Sequence, residues 1–598
     1  MPTKKPSIDY TSRDFSSIRA DLESYVRRYY PDNYKDFTEA SFGSLMLDTV
    51  SYVGDMLSFY TDYQANESFL DTAIEYDNVL KLSRQMGYKY KPYPSSFGVC
   101  NFFITVPAET NSPAPDNDYF PLLKKGSTFA STNGSLFTLL EDINFALPKY
   151  AIVIADQDPT HGTPSSYAVK ASGQVVSGEL AVQEVQVGGY TPFLKLSLVG
   201  DNINEVVSVF DDKGNQYFEV DYLSQDVLYV PVMNKNPDND TVPYILKPVS
   251  VSRRFKVDAT ADGLYLQFGQ GSEETPVEIK DPSEVIMQLH AKNYVSDMSF
   301  DPSILNQTDQ LGVSPSNTTL TIVYRINTNE NVNTAARTVN RVQIADFAFP
   351  AENEGALDEN LMSDVIDSLA VNNDDPIVGD VGIISTREIK ERAQSSFASQ
   401  YRAVTKQDYV GLVYNMPSKY GKFKRVTIEL DTDSYNQRNL NYYVISEDND
   451  GYLIKSNDTL KSNLKTWVNQ YKMINDTIDV LDAKICNVGI KYKIVPFPGA
   501  NKYDLLVEAN SLLRSAFDKE FYIGEPIVIT DIYQVLKSVP DLLDVVDVKL
   551  EVKIGDIYAD SPISIEDALS ADGRFLFPPT DTIFEIKYPD SDVGGTVV

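Results

Sequence analysis

Apolar positions near the start of the chain recur at intervals of three and four. Phe15, Ile18, Leu22, Tyr25 and Tyr29 share one helical face, which predicts a helix that Pro31 stops. Thr11 and Asp14 stand at capping-box spacing before it. From about Ser41 to Asn66 a longer helix carries two stripes side by side. Met46, Val50, Val53, Leu57 and Tyr60 form one; Leu45, Thr49, Tyr52, Met56, Phe59 and Tyr63 form the other. Both keep the 4-3-4-3 rhythm of packed helices. A helix with two adjacent seams wants neighbours on both flanks. A core helix of the chain's own fold would show the same pattern. Only two other helical segments lie nearby, so the pattern favours bundling between chains, with Leu45, Met46, Val50, Val53, Leu57 and Tyr60 as the interface. A third helix is expected over Asp71 to Met86, closed by Gly87.

The period then changes. Between 95 and about 345, short Val, Ile, Phe and Tyr runs are cut by turn signals: Asn133-Gly134, Gly188-Gly189, Asp212 to Asn215 and Asp262-Gly263. Helical spacing returns over 350–416. Ser385 with Glu388 and Thr405 with Asp408 stand as capping boxes, and Pro417 forces a stop. Strand and helix patterns alternate over 420–555, with Thr530 read as the cap of a short helix that ends before Pro540. The run ends in a strand where Val546, Val548, Leu550, Val552 and Ile554 alternate with charged residues. The remainder predicts one strand, 583–586, in an otherwise irregular arm. The fold class is thus multidomain α+β: an N-terminal helical bundle segment (1–94), a β-rich middle domain (95–345), a helical connector (346–420), a C-terminal α+β domain (421–555) and an arm (556–598). No fixed repeat period is present, which argues against a solenoid or propeller.

Charge narrows the partners. The 598 residues hold 85 acidic against 52 basic side chains, a net charge of −33. Such a surface repels nucleic-acid phosphates and anionic lipids, so neither nucleic acid nor membrane is expected as a direct partner. No stretch approaches the length of a membrane span, and MPTKKPSIDY lacks a signal-peptide core. Two distant cysteines, Cys100 and Cys486, make neither a disulfide framework nor a zinc site, and fit a reducing compartment. The 38 tyrosines suit wet, permanent interfaces, and suit strands equally.

Candidate chemistry is thin. Only His161 and His290 are available for acid–base or metal work. There is no P-loop. Gly269-Gln270-Gly271 follows a strand but opens no helix, so it is read as a turn needing positive φ. Ser446 to Gly451 imitates the first half of a calcium loop. Asn457 stands where the bidentate Glu should be, and a hairpin turn is the better reading. No enzyme activity, metal or cofactor is expected.

Several segments, in order, resemble the baseplate wedge proteins of T-even-like contractile phages, within the wider baseplate J-like family. They are SFGSLMLDTVSYVGDMLSFYTDYQANESFL (41–70), LQFGQG (266–271), RAVTKQDYV (402–410), Tyr471 to Ile485 and FYIGEPIVITDIY (521–533). RAVTKQDYV is the most specific and singles out Arg402, Val404, Thr405, Asp408 and Tyr409. The stretch Glu354 to Glu359 departs from the family, which more often has two glycines there. The resemblance implies a virion protein of the tail baseplate, assembled in the host cytoplasm. It implies a homodimer within each wedge and an N-terminal bundle with other wedge proteins. It also implies contacts between neighbouring wedges that close a six-fold ring around the hub, a ring that reorganises on contraction. The residues account for part of the motif: Thr405 and Asp408 cap a helix, and Val404 and Tyr409 can pack. Arg402 is expected to bridge helix-end carbonyls or a carboxylate. A tail-associated polysaccharide-degrading enzyme and a sheath-like tube protein are the competing readings.

Overall fold

The computed structural model describes residues 14–598 apart from 32–35, 39–40, 89–93, 110–111, 113, 158–162, 201, 234–243, 261–262, 273–310, 330, 350–356, 383, 401, 433–437, 518–520, 556 and 560. Thr11, His161, His290 and the departure at 354–356 lie outside the described residues.

The first helices follow their local signals. Helix α1 is Phe15–Tyr29 and α2 is Phe42–Glu67. Asp14 caps α1 itself, in a capping box with Ser17 in place of the expected pair with Thr11. Ser41 caps α2 by accepting from the Ser44 N–H. Helix α3, Tyr76–Gln85, starts five residues later than its pattern predicts. The Glu67 carboxylate takes the N–H groups of Ile74 and Glu75, which holds 68–75 in a turn. Gly87 follows α3 at φ 92°, the left-handed position that closes a helix.

Two sheets form the middle, the first antiparallel and the second antiparallel apart from one parallel pairing, Gln216–Glu219 with Arg254–Thr260. In the first, strands run in the order Val339–Ile344, Thr128–Ser131, Leu136–Leu139, Pro164–Ser177, Phe97–Pro107, Ala370–Asn372, with Ala151–Gln157 also beside Pro164–Ser177. Its buried face gathers Phe102, Ile104, Phe129, Phe137 and Val169, covered by helix α4, Glu359–Asp367. The second sheet runs from Glu179–Val187 through Thr318–Ile326 and Ile203–Phe210 to Gly263–Phe268 and Lys195–Ser197. Its two edges approach each other. Gln183 donates to the Ser197 carbonyl at 3.3 Å and accepts from the Val199 N–H at 3.0 Å, so the sheet curls into a barrel-like form. Buried asparagines join the two sheets: Asn327 Oδ1 accepts from Asn204 at 2.7 Å and from Ser177 at 3.0 Å. In a dry setting such bonds fix one arrangement of the two layers.

The Gly269 turn is needed for a different reason from the expected one. Its φ is not in the left-handed region. Instead, a Cβ at this position would sit 2.0 Å from the Gly312 carbonyl oxygen and 2.3 Å from that of Leu311. The Gly271 N–H also donates to Gly312 O at 2.8 Å, so two backbones lie side by side here. Gly269→Ala should therefore destabilise the barrel-like sheet by about 1–3 kcal/mol or more. Thermal unfolding followed by circular dichroism checks this; a variant that melts with the parent would show that 311–312 can move aside.

Beyond the middle come helices α5 (Thr386–Ser399), α6 (Lys406–Tyr414), α7 (Asp458–Val468), α8 (Lys502–Phe517) and α9 (Ile529–Lys537). Helices α6 and α7 pack on strands Arg425–Leu430, Asn439–Glu447 and Thr477–Asp482 around Tyr442, Leu460 and Leu464. Helices α8 and α9 pack on strand Lys484–Pro496 and its partners around Leu513, Ile532 and Leu536. That strand pairs antiparallel with Leu542–Val552 and parallel with both Thr582–Glu585 and Val593–Val597. The last region thus supplies strands at 575–576 and 593–597 besides the one its pattern predicts. Two local expectations fail. Thr530 stands inside α9, whose N-cap is Val528 with no side-chain bond. The alternation over 546–554 slips, because the register skips Val546 between Lys493–Asp547 and Ile494–Val545. The bulge turns Val545 inward and leaves Val546 out. The molecule is a multidomain α+β protein with N-terminal helices, a β-rich middle and further α+β elements.

Candidate assembly surface

Helix α2 is polar inside and apolar outside. Its buried residues are Ser44, Ser51, Asn66 and Glu67. Against α1 it offers small or polar positions: Ile18 lies where a Cβ on Gly54 would be only 3.1 Å away, Arg19 pairs with Asp48 at 2.7 Å, and Arg19 also reaches Ser44 Oγ at 3.1 Å. Helix α1 buries none of its own residues. The six positions expected at an interface all face solvent: Leu45, Met46, Val50, Val53, Leu57 and Tyr60 are between 50 and 62% exposed. Thr49, Tyr52, Met56, Phe59 and Tyr63 of the second stripe are exposed too. The helix is therefore not a core helix of this fold. A contiguous apolar face of this length is unusual on a soluble monomer and marks an interaction site.

The far end of α2 is fixed. Glu67 is buried, and burial alone would raise its carboxyl. Bonds from Asn78 Nδ2 (3.0 Å) and the Ile74 N–H (2.7 Å), with the Lys390 charge, more than offset this and hold it below the ordinary carboxylate range. Lys390 on α5 donates to the carbonyls of Asp71 and Ala73, and Gln394 donates to Asp71. Ala73, Val79 and Tyr88 pack with Ile384, Ile389 and Ala393. The N-terminal helices are thus rooted on α5 while the stripes stay uncovered.

Residues 14–85 match the family model "Bacteriophage baseplate protein, N-terminal domain". The matched span opens at the N-cap of α1 and ends with the last residue of α3, so it coincides with the helical unit that bears the stripes. No curated protein sequence matches the chain. Among solved structures, a chain of the anti-feeding prophage (AFP) baseplate, imaged by cryo-electron microscopy and 6-fold symmetrised, aligns over 90% of this chain and 94% of its own. The identity is 9% and the TM-score 0.27. The likeness to baseplate proteins therefore rests on the sequence match over 14–85 and not on that alignment.

Behind the baseplate-like unit, RAVTKQDYV forms the entry to α6. Thr405 Oγ1 accepts from the Asp408 N–H at 3.2 Å, and Asp408 Oδ2 accepts from the Thr405 N–H at 2.9 Å, the capping box that the spacing predicts. Burial opposes the ionised Asp408. The Thr405 and Val404 N–H groups, with the Arg402 charge, overcome it and lower its pKa. Arg402 thus acts as a nearby charge on an exposed surface. Val404 does not pack: it is 56% exposed, because the cap turns it away from the sheet. Tyr409 is buried, edge-on to Tyr442, and its hydroxyl donates to Asp476 at 2.5 Å while accepting from the Met473 N–H at 3.3 Å. Burial, then the Asp476 bond, push its phenol up to about 12.

One cluster is absent from the sequence reading. Ser385 caps α5 by accepting from the Glu388 N–H, but the Glu388 carboxylate does not complete a capping box. It binds Arg392 at 2.6 Å and Arg425 at 2.9 Å, with all three side chains nearly buried. Arg392 lies 4.0 Å over the Tyr414 ring, and Arg425 lies 4.7 Å over the Tyr522 ring and donates to the Phe521 carbonyl. The Glu388–Arg392 spacing of four was visible; the partner at 425 was not.

The calcium-like loop is a hairpin turn. Asp448 Oδ1 accepts from the Asp450 and Tyr452 N–H groups, Gly451 sits at φ 87°, and Asn457 caps α7. Among the described residues no group of three or more His, Cys, Asp or Glu side chains is placed to hold a metal. No described helix is long and apolar enough to cross a membrane. An open groove of about 470 Å³ runs between α7 and strand Thr477–Asp482. Its carboxylates are engaged: Asn439 bonds Asp431 and Asp479, and Lys461 pairs with Asp458 and Asp482.

Proposed function

We propose that the chain is a structural, non-enzymatic wedge subunit of a contractile-tail baseplate, of the baseplate J-like kind. The observation that carries the reading is the uncovered double seam of α2, placed within a span similar to the N-terminal domain of bacteriophage baseplate proteins. The occupants of the seams are helices: α2 of a second copy on one flank and a helix of another wedge protein on the other. A 4-3-4-3 rhythm on two adjacent lines fits knobs from two neighbours, whereas a flat sheet or a globular pocket would not require that rhythm. Neighbouring wedges then close a six-fold ring around the hub. The protein acts in the virion baseplate after assembly in the host cytoplasm. RAVTKQDYV has a structural role in this scheme, with Thr405 and Asp408 starting α6 and Tyr409 tying it to the 473–476 turn.

Light scattering tests the reading. The purified chain alone should have the mass of a dimer and should grow into a defined mixed complex when other wedge proteins are added. A monomer indifferent to those proteins would overturn it and would call for a screen of polysaccharide cleavage. Unlimited self-polymerisation would point instead to a tube-forming protein.

A further inference from the structure

The β-rich middle and the C-terminal sheet meet at a buried polar seam apart from α2. Asn333 is its centre. Asn333 Oδ1 accepts from the Asp380 N–H at 3.0 Å and from Ser96 Oγ at 2.8 Å. Asn333 Nδ2 donates to the Asp380 and Glu447 carbonyls, both at 2.8 Å. The Asp380 carboxylate accepts from the Val332 N–H at 3.2 Å, the Lys422 N–H donates to the Gly379 carbonyl, and Asn331 donates to the Asn449 carbonyl. Segments 331–334 and 378–381 thus face 422–424 and 447–449.

Four charged side chains enter this seam: Asp380, Glu447 and Lys422 are buried and Lys424 is partly buried. Lys424 is committed to Glu447 at 2.7 Å. Asp380 has the Glu447 carboxylate and the Lys422 ammonium as its charged neighbours. The other side chains bonded along the seam, Asn331, Asn333 and Ser96, are neutral. A carboxylate here loses its water and faces a second negative charge, while the protonated acid avoids both costs.

We propose that this seam is a proton-linked latch, closed while the Asp380 carboxyl keeps its proton and loosened when that proton passes to solvent. Burial first, then the Glu447 charge, push the Asp380 carboxyl up to about 7, against the pull of the Val332 N–H and Lys422. In an opened seam the carboxyl regains water and ionises in the ordinary range near 4. The closed form therefore binds a proton that the open form lacks throughout the window from about 4 to 7. The sign follows: closure weakens as pH rises through that window and becomes level above about 7, where both forms are ionised. Each pH unit inside the window changes the closed-to-open ratio about tenfold.

Hydrogen–deuterium exchange of the full chain, read by mass spectrometry on peptides covering 331–334 and 378–381, tests this. After correction for the pH dependence of intrinsic exchange, protection should fall about 50-fold from pH 5 to pH 7 and level off within about one further pH unit. Asp380→Asn removes the titration and should give protection that is flat with pH. Lys422→Met removes the attraction that favours ionised Asp380, so the levelling-off should move to higher pH. Protection in the parent chain that does not change between pH 5 and 7 would overturn the proposal, as would an Asp380→Asn chain that falls as the parent does. If Asp380→Asn does not fold, an unmoved level in Lys422→Met overturns it alone.

Discussion

Glu388→Ala should lower the stability of the C-terminal half by about 3–5 kcal/mol, the cost of leaving buried charges unpaired. Its carboxylate binds two guanidinium groups at once, and neither Arg392 nor Arg425 can reach bulk water from its present place. Trp467 offers a local probe: it is the only tryptophan, its Nε1 donates to the Leu412 carbonyl, and its ring lies 4.8 Å from Tyr471 beside α6 and α7. At a slope of about 2 kcal/mol per molar urea, the fluorescence midpoint should fall by roughly 2 M. The triple variant Glu388→Met, Arg392→Met, Arg425→Met should recover most of the loss, because it removes charge and partner together. An unchanged midpoint for Glu388→Ala would mean that water enters the cluster freely. The pH response has a definite sign. Burial would raise the Glu388 carboxyl, but the two arginines hold it below its ordinary range. The stability it contributes is present above the ordinary carboxyl pKa and is lost as pH falls through the lowered value.

The second large effect is on assembly. Leu57 is 62% exposed, so Leu57→Asp should change the stability of the isolated chain by no more than about 0.5 kcal/mol. In a packed bundle the same position would bury a carboxylate in an apolar seam. A cost of about 4 kcal/mol there corresponds to about a 1,000-fold loss of affinity for the partner helices. Under the proposed wedge role, light scattering with other wedge proteins should show the mixed complex missing while the melting curve is retained. Incorporation of Leu57→Asp into tails at the parent level would remove α2 from the interface.

These two sites differ in how far the sequence exposes them. The stripes of α2 were legible because helical periodicity, the Ser41 cap and the absence of Lys or Arg are all local. Which molecule covers them was not, since burial within the fold and burial between chains select the same residues. Ser44 and Gly54 lie against α1 and Ser51 is buried, and small residues at that spacing were a signal that the apolar face points elsewhere. Glu388 illustrates the opposite case. Its spacing from Ser385 suggested a cap, yet it serves a partner at position 425 that no local rule connects to it. The parallel pairing of Lys484–Pro496 with the two final strands, and the seam at Asn333, are long-range in the same way. Single-residue events such as the skipped Val546 follow from register, which is settled between strands and not within one.

The rooting of α2 through Glu67 has a mechanical consequence. At about 1.5 Å per residue its 26 residues make a rod about 39 Å long, clamped at one end and joined by the shorter α1 in its N-terminal half, at Ser44, Asp48 and Gly54. A rotation of about 10° at the clamp would carry the free tip through about 7 Å, more than one full helical turn. Small adjustments where α5 grips the 71–73 turn are thereby magnified into displacements large enough to change which residues meet at the tip. The stiffness of that grip, two carbonyls held by one ammonium, sets the gain of the arm.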